Sequence, residues 1–348
     1  MATFDDYIQS LTLHSLAPQV ADGILKGNFL AHRLLMNAQR WDGETMKFAF
    51  AYRTNNSGQW YDGMDTLATN QINTRIRLSF EPRWFSQSVV LSGTDLDVNN
   101  TRAGVIKLLT AEMEWSQQSM ADTVGNAFYQ LQTGKQPLSV LDIADDGTNV
   151  TTYGGASRST YTGLAGQYSN SGGTLTISFI EQLYDSCVAG TLKPTIAVVP
   201  TSVWTIYEGL LQPSILLNVA TTGYAQATYD GVVASKQALG GDVGFDALYI
   251  RGVPVVRDQK ATTGAWFFFN EPTISWYSLA SARWNQVDLG SSVIDGVYKK
   301  GPSTSFKFYW SGLREPTAQD AEVGFFKIGG QLISPNPRLQ GQGYGITA

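Results

Sequence analysis

The chain has 348 residues, a formal net charge of −5, two histidines and one cysteine, Cys187, which excludes an internal disulfide and leaves almost nothing for zinc-type ligation. The acidic opening MATFDDYIQS and the lack of any window approaching the roughly 18–20 apolar residues of a membrane helix set the expectation of a soluble, cytoplasmic product without membrane contact. Charged residues make up only 15% and aromatics 12%, the composition of a surface that is buried between chains, and no cluster of Lys and Arg offers the phosphate contacts of a strong nucleic-acid binder.

Residues 1 to about 45 read as an amphipathic helical arm, with Leu25, Phe29, His32 and Met36 on one stripe. From Met46 the period changes to two. KFAFAYR alternates Phe48, Phe50 and Tyr52, runs into the turn-rich NNSGQWYDG, and is followed by QINTRIRLSF, with Ile72, Thr74, Ile76, Leu78 and Phe80 on one face and Arg75 and Arg77 on the other. After Glu81–Pro82–Arg83 a further strand resumes in RWFSQSVVLSG. The whole reads as a long β-hairpin excursion with little sequence left to cover its apolar face, so something else must cover it.

Asn99, Asn100 and Thr101 are N-cap candidates for the strongest helix, in which Val105, Leu109, Met113, Met120, Val124, Phe128 and Leu131 trace one stripe until Gly134 and Pro137 end it. The segment DDGTNVTTYGGASRSTYTG follows, from Asp145 to Gly163. A mixed region continues to about residue 295: a helix in LTISFIEQLYDSCVAGTL, a strand and helix in PTIAVVPTSVWTIYEGLL, and β-rich FDALYIRGVPVVRDQ and AWFFFNEPTISWYSL. The tail alternates in FKFYW and again in VGFFKIGGQLI, so the fold class is α+β.

Catalytic constellations are missing. His14 and His32 lie in the arm without a nucleophile motif beside them, and no G-x-S-x-G elbow exists. Asp145, Asp146 and Gly147 begin like a calcium loop but lack the remaining ligand spacing, and Gly154 and Gly155 lack the Lys of a phosphate loop. The glycines and hydroxyls therefore read as turn chemistry. GQGYG, at Gly341–Gly345, is followed by no helix and is not a dinucleotide fingerprint. Cys187 reads as a small buried hydrophobe. The acids Glu112 and Glu114 stand two apart on a helix and point to different faces.

The order of parts (arm, β-hairpin, long helix, mixed region, β-rich return) resembles the major capsid proteins of tailed bacteriophages, with the fold named for phage Hong Kong 97. At residue level the resemblance is carried by LDIADDGTNVTTYGGASRSTY just after the long helix, and by IRGVPVVRD followed by WFFFNEPTISWYSL. It implies an N-terminal arm over 1–45, an extended β-hairpin loop over 46–98, a peripheral domain with its spine helix from 99–135 and 296–348, and an axial domain over 136–295. It further implies hexamers and pentamers of this chain closing into an icosahedral shell. That shell is the virion capsid, made in the host cytoplasm, around weakly contacted double-stranded DNA. Scaffold, portal and cement proteins are possible further partners, and no cofactor, metal or catalytic residue is implied. In that frame the segment from Asp145 to Gly163 is a rigid connector touching a neighbouring subunit through Asp145, Asp146 and Arg158. Trp60, Tyr61, Trp84 and Phe85 are the aromatic anchors, and Arg75 and Arg77 join them as interface candidates. Some relatives weld their shells by joining a lysine of the extended loop to an asparagine next door. Here no lysine lies between Lys47 and Lys107, so the shell is expected to be non-covalent or held by a cement protein. Two readings stand beside this one: an encapsulin-like compartment of the same fold, and a small-molecule hydrolase, which would need a polar pocket that no motif supplies.

Overall fold

The computed structural model describes residues 28–41, 43–53, 55–67, 69, 72–98, 101–221, 247–279, 285–287, 292–294, 297–299, 308–317 and 319–347. The readings made for residues 1–27, including His14 and Leu25, lie outside them. Helix α1 (Phe29–Met36) buries Phe29, Leu30, Ala31, Leu34 and Leu35, a broader face than the expected stripe. Its start is capped from a distance. The Leu30 amide donates to Asp258 Oδ2 at 3.2 Å, while the Asn28 side chain donates to the Ala121 carbonyl at 2.8 Å. The helical reading does not extend to residue 45, because Gln39–Trp41 is strand β1, drawn into a sheet and burying Trp41 completely.

Strands β2 (Met46–Ala51) and β3 (Arg75–Phe80) form the expected hairpin, registered from Met46 opposite Phe80 to Ala51 opposite Arg75. β4 (Arg83–Ser92) and a short helix α2 (Gly93–Val98) lead to the spine helix α3 (Arg102–Phe128). Thr101 caps it, its Oγ1 accepting from the Gly104 amide at 3.2 Å. The stripe Val105, Leu109, Met113, Met120 and Phe128 is buried as the spacing predicts. The helix is 27 residues, about 40 Å, and stops at Phe128, short of Gly134 and of Leu131, which is exposed.

Beyond it come α4 (Val140–Ala144), β5 (Thr152–Tyr153), β6 (Ala156–Ser157), β7 (Gln167–Ser169), β8 (Gly173–Thr174), α5 (Ile177–Ser186), β9 (Ile196–Val199) and α6 (Thr201–Thr221). Then follow β10 (Ala247–Ile250), β11 (Val253–Arg257), β12 (Trp266–Phe269), β13 (Ser275–Leu279), β14 (Asn285–Val287), β15 (Ser292–Ile294) and β16 (Val297–Lys299). The chain closes with β17 (Phe308–Trp310), β18 (Ala321–Ile333), β19 (Gly341–Gly343) and β20 (Ile346–Thr347).

Two sheets organise the body. In the first, β18 takes β4 along one edge from Ala321–Ser92 to Gly330–Arg83, and β17 and β13 share its other edge; β14 and β1 extend the ends. The second runs β10-β11-β9-β12-β19-β7. Its central strands read IAVV and WFFF without alternation because both faces are covered. Ile196, Val198, Phe267 and Phe269 join the core under α1 and α3, whereas Ala197, Val199, Trp266 and Phe268 join a second core under α5 and α6.

Sheet membership divides the chain differently from the expected segments. β4, read as part of the 46–98 excursion, belongs to the sheet of β18. β13, read within 136–295, lies there too, while β19 of the tail joins the other sheet. Alternation shows that a segment is a strand, but the identity of a partner hundreds of residues away is a tertiary choice. GQGYG contributes a strand paired with β12 and β7.

Candidate assembly surfaces

The glycine-rich segment after α4 is folded around one internal ion pair. Asp145 is fully buried, and its carboxylate accepts from the amides of Gly147 (2.9 Å), Asn149 (3.2 Å) and Val150 (2.9 Å) and from Asn149 Nδ2 (2.8 Å). Arg158, 1% exposed, reaches it at 3.4 Å and spends its other donors on backbone carbonyls: Leu164 (3.2 Å), Val150 (2.9 Å), Ile143 (3.3 Å) and Asp142. Its guanidinium also lies 5.4 Å from the centre of the Tyr153 ring. Burial lowers the Arg158 pKa from its ordinary value, opposed by the Asp145 charge. A buried charge pair whose hydrogen bonds are satisfied inside its own loop has no valence left for a metal or phosphate. Nor can it face a neighbour. The expectation that Asp145 and Arg158 make subunit contacts is therefore corrected. Asp146 is on the surface, its Oδ1 accepting from the Thr148 amide at 2.9 Å.

That loop is the seat of the hairpin. Gly154, at φ +57°, leaves so little room that a Cβ would stand 2.9 Å from Leu78 Cβ and 2.8 Å from the Phe80 ring, and its carbonyl accepts from the Ser79 amide at 2.9 Å. Tyr153 meets Phe80 edge-on at 5.1 Å, Tyr161 meets Tyr52 at 5.0 Å, and Phe48 packs on Tyr277 at 5.5 Å. The apolar face of the hairpin base is thus covered by its own chain. The reading that it needs outside cover is overturned for the base.

The tip is not covered in this way. Trp60 is 103% exposed and Met64 100%, with Tyr61 and Leu67 also in solvent. The turn is nonetheless built: Gln59 Nε2 donates to the Thr66 carbonyl at 2.8 Å, and Asp65 Oδ2 accepts from the Asp62 amide at 2.9 Å. Burying a large apolar side chain contributes about 1.5–3 kcal/mol, so this tip carries unspent hydrophobic energy. Met64 and Leu67 were missed by the reading of the sequence, although two large apolar residues separated only by Asp65 and Thr66 in a turn-rich segment were a usable signal. Arg75 and Arg77 are exposed on the outer face, opposite Ala51 and Ala49.

Trp84 and Phe85 do not extend this surface as a pair. Phe85 packs on the core. Trp84 is 45% exposed, with its ring lying over Gly329, where a Cβ would come within 2.4 Å, and tilted against Tyr309 at 6.5 Å. Beside them an apolar groove of about 280 Å³ opens between the last turns of α3 and the start of β4, walled by Thr123, Val124, Ala127 and Trp276. Among the described residues, no group of three His, Cys, Asp or Glu is placed to hold a metal, and no helix is long and apolar enough to cross a membrane.

No protein-family model matches the chain, and no curated protein matches its sequence. Solved structures do. The capsid asymmetric unit of cyanophage A-1(L) superposes with a TM-score of 0.61 at 11% identity, covering 92% of this chain and 93% of that one. The chain has the capsid fold. The capsid of a native GTA particle matches with a TM-score of 0.54 at 10% identity over 93% and 91% of the two chains. The holo-SrpI encapsulin complex of Synechococcus elongatus PCC 7942 matches with 0.51 at 8% identity over 90% and 85%. On this capsid fold the candidate residues separate. Trp60, Tyr61, Arg75, Arg77 and Asp146 face solvent and Trp84 half does, whereas Phe85, Asp145 and Arg158 belong to the interior or its margin.

Proposed function

We propose that the chain is the major coat protein of a tailed bacteriophage, many copies of which close into an icosahedral shell around double-stranded DNA. The observation that carries this reading is the hairpin tip, where a hydrogen-bonded turn holds Trp60 and Met64 fully in solvent on a chain that shares the capsid fold along nine-tenths of its length. A surface of that kind is stabilised only when another molecule covers it, and a shell supplies that molecule in every direction. In this reading the sheet of β18 with α3 is the peripheral domain, the sheet of β9 with α5 and α6 is the axial domain, and the role is structural. The low density of positive charge fits loose contact with DNA.

Lys47 sits at the hairpin base opposite Ser79, far along the chain from the tip, so no amine is placed there for a lysine–asparagine weld. Particles boiled in detergent are expected to run as single chains; ladders of linked chains would overturn the non-covalent shell. Electron microscopy of the purified, expressed protein tests the main reading: closed shells support it, and dispersed single chains under all assembly conditions overturn it. The encapsulin match favours a second reading, a compartment holding cargo protein. Nucleic acid inside shells recovered from infected cells supports the coat, and packaged protein without nucleic acid supports the compartment.

A further inference from the structure

We propose that the groove between the end of α3 and the start of β4 is a binding site for a small aromatic carboxylate. The class of ligand follows from the walls and the floor. Phe85, Phe128 and Trp276 line a space of about 280 Å³, with Val124 and Ile328 between them, and Trp276 meets Phe128 edge-on at 5.9 Å. A flat ring entering here finds aromatic and aliphatic surface on all sides. The volume is at the small end for a ligand site, which restricts the occupant to a compact molecule.

The floor asks for an anion. Trp276 is 5% exposed, and its Nε1 donor has no acceptor among the described residues; nor has Arg83 Nε. Gly330 brings the two together, because it is registered opposite Arg83 and a Cβ on it would stand 2.7 Å from Trp276 Nε1. Buried donors are almost always paired, so two unpaired ones side by side mark a place where an acceptor belongs. Arg83 does not spend its charge fully on the protein: its Nη2 stands 3.6 Å from Glu81 Oε2, beyond hydrogen-bond reach. Its side chain is 31% exposed, so a small rotation admits a carboxylate to both donors. Lys135 adds a second positive charge to the lining, and among the described residues no Asp or Glu lines the groove. A neutral arene would leave both donors unpaired, and an aromatic amine would bring a cation against Arg83 and Lys135. A ring and a carboxylate on one molecule satisfy walls and floor together.

The test uses the full, unassembled chain with 2-naphthoate as the probe. The tryptophan indole N–H resonances are followed by NMR, and the signal of Trp276 is assigned by its loss in Trp276→Phe. The expected result is a saturable shift of that signal by 2-naphthoate, with binding at least about tenfold weaker for 2-naphthylmethylamine, the cation carrying the same ring. Trp276→Phe keeps a ring in the wall and removes the donor, whereas Arg83→Met keeps the stem and removes the charge. Each is expected to weaken 2-naphthoate at least about tenfold by calorimetry, with the unfolding midpoint of Arg83→Met unchanged. Ala127→Phe, which fills the groove, is expected to abolish binding while the chain keeps its circular dichroism. A Trp276 signal that stays in place at millimolar probe, equal binding of acid and amine, or full affinity in Arg83→Met overturns the proposal. So does a shift spread evenly over the indole signals, which is adsorption without a site. Shell formation by the unaltered chain is read separately, so the coat reading stands or falls on its own result.

Discussion

The base and the tip of one hairpin are built on opposite plans. At the base, Leu78 and Phe80 are buried on Tyr153 and Gly154 of the same chain, and the seat beneath them is locked by the Asp145–Arg158 pair. At the tip, beyond the last strand pair of Ala51 with Arg75, Trp60 and Met64 stand bare. The contrast separates buried from exposed apolar surface along a single element. The base contributes to the stability of its own molecule, whereas the tip leaves large apolar side chains uncovered by that molecule. The root of the hairpin is held by a loop whose buried charges are paired and hydrogen-bonded.

The largest effect is expected from breaking the seat. Arg158→Ala leaves Asp145 buried without its countercharge and frees four carbonyls, and is expected to cost about 3–5 kcal/mol in denaturant unfolding of the unassembled chain. Gly154→Ala is expected to cost about 1–3 kcal/mol, because it combines a positive φ with a Cβ pressed on Leu78; faster hydrogen exchange at the Ser79 amide would locate the damage at the hairpin root. Full protection of that amide in the variant would refute the seat. At the other end of the scale, Trp60→Ser is expected to leave the unfolding midpoint of the unassembled chain unchanged while shell formation falls. A shifted midpoint would mean the tip packs on its own molecule in solution.

Thiol chemistry sharpens the same contrast. Burial pushes the Cys187 thiol up to about 12, so at pH 8 its thiolate fraction is on the order of one in ten thousand and access is closed besides. A cysteine placed at Trp60 is expected to react with a disulfide reagent at the rate of a free thiol, and Cys187 only at the rate of unfolding. Rapid labelling of Cys187 in the native chain would contradict its buried place at the C-terminal cap of α5.

Much of the outline was legible in local pattern. Alternation marked β2, β3, β4 and β18, four- and three-residue steps marked α3 with Thr101 as its cap, and polar surroundings marked Trp60 and Tyr61 as unusual. Other readings failed for one reason. Asp145 and Arg158 have the composition of a surface turn, and nothing in their neighbours along the chain reveals that each is the other's buried partner. Gln39–Trp41 has no strand period; its pairing with Ser275–Leu279 made it one. Phe85 and Trp84 are adjacent aromatics whose opposite fates follow from which face of β4 meets the core.

What the chain's order of residues determined by itself is the set of elements and the chemistry it lacks: hairpin, spine helix, β-rich return, one thiol, and no catalytic or metal-binding constellation. Period, caps and composition are local properties and survive without knowledge of the fold. What only the tertiary structure decided is which surfaces are spent and which are left over. Burial is set by the chain segments that come to lie on a residue from far along the chain, and two stretches of one hairpin that both carry large apolar side chains, Leu78–Phe80 and Trp60–Met64, end on opposite sides of that division.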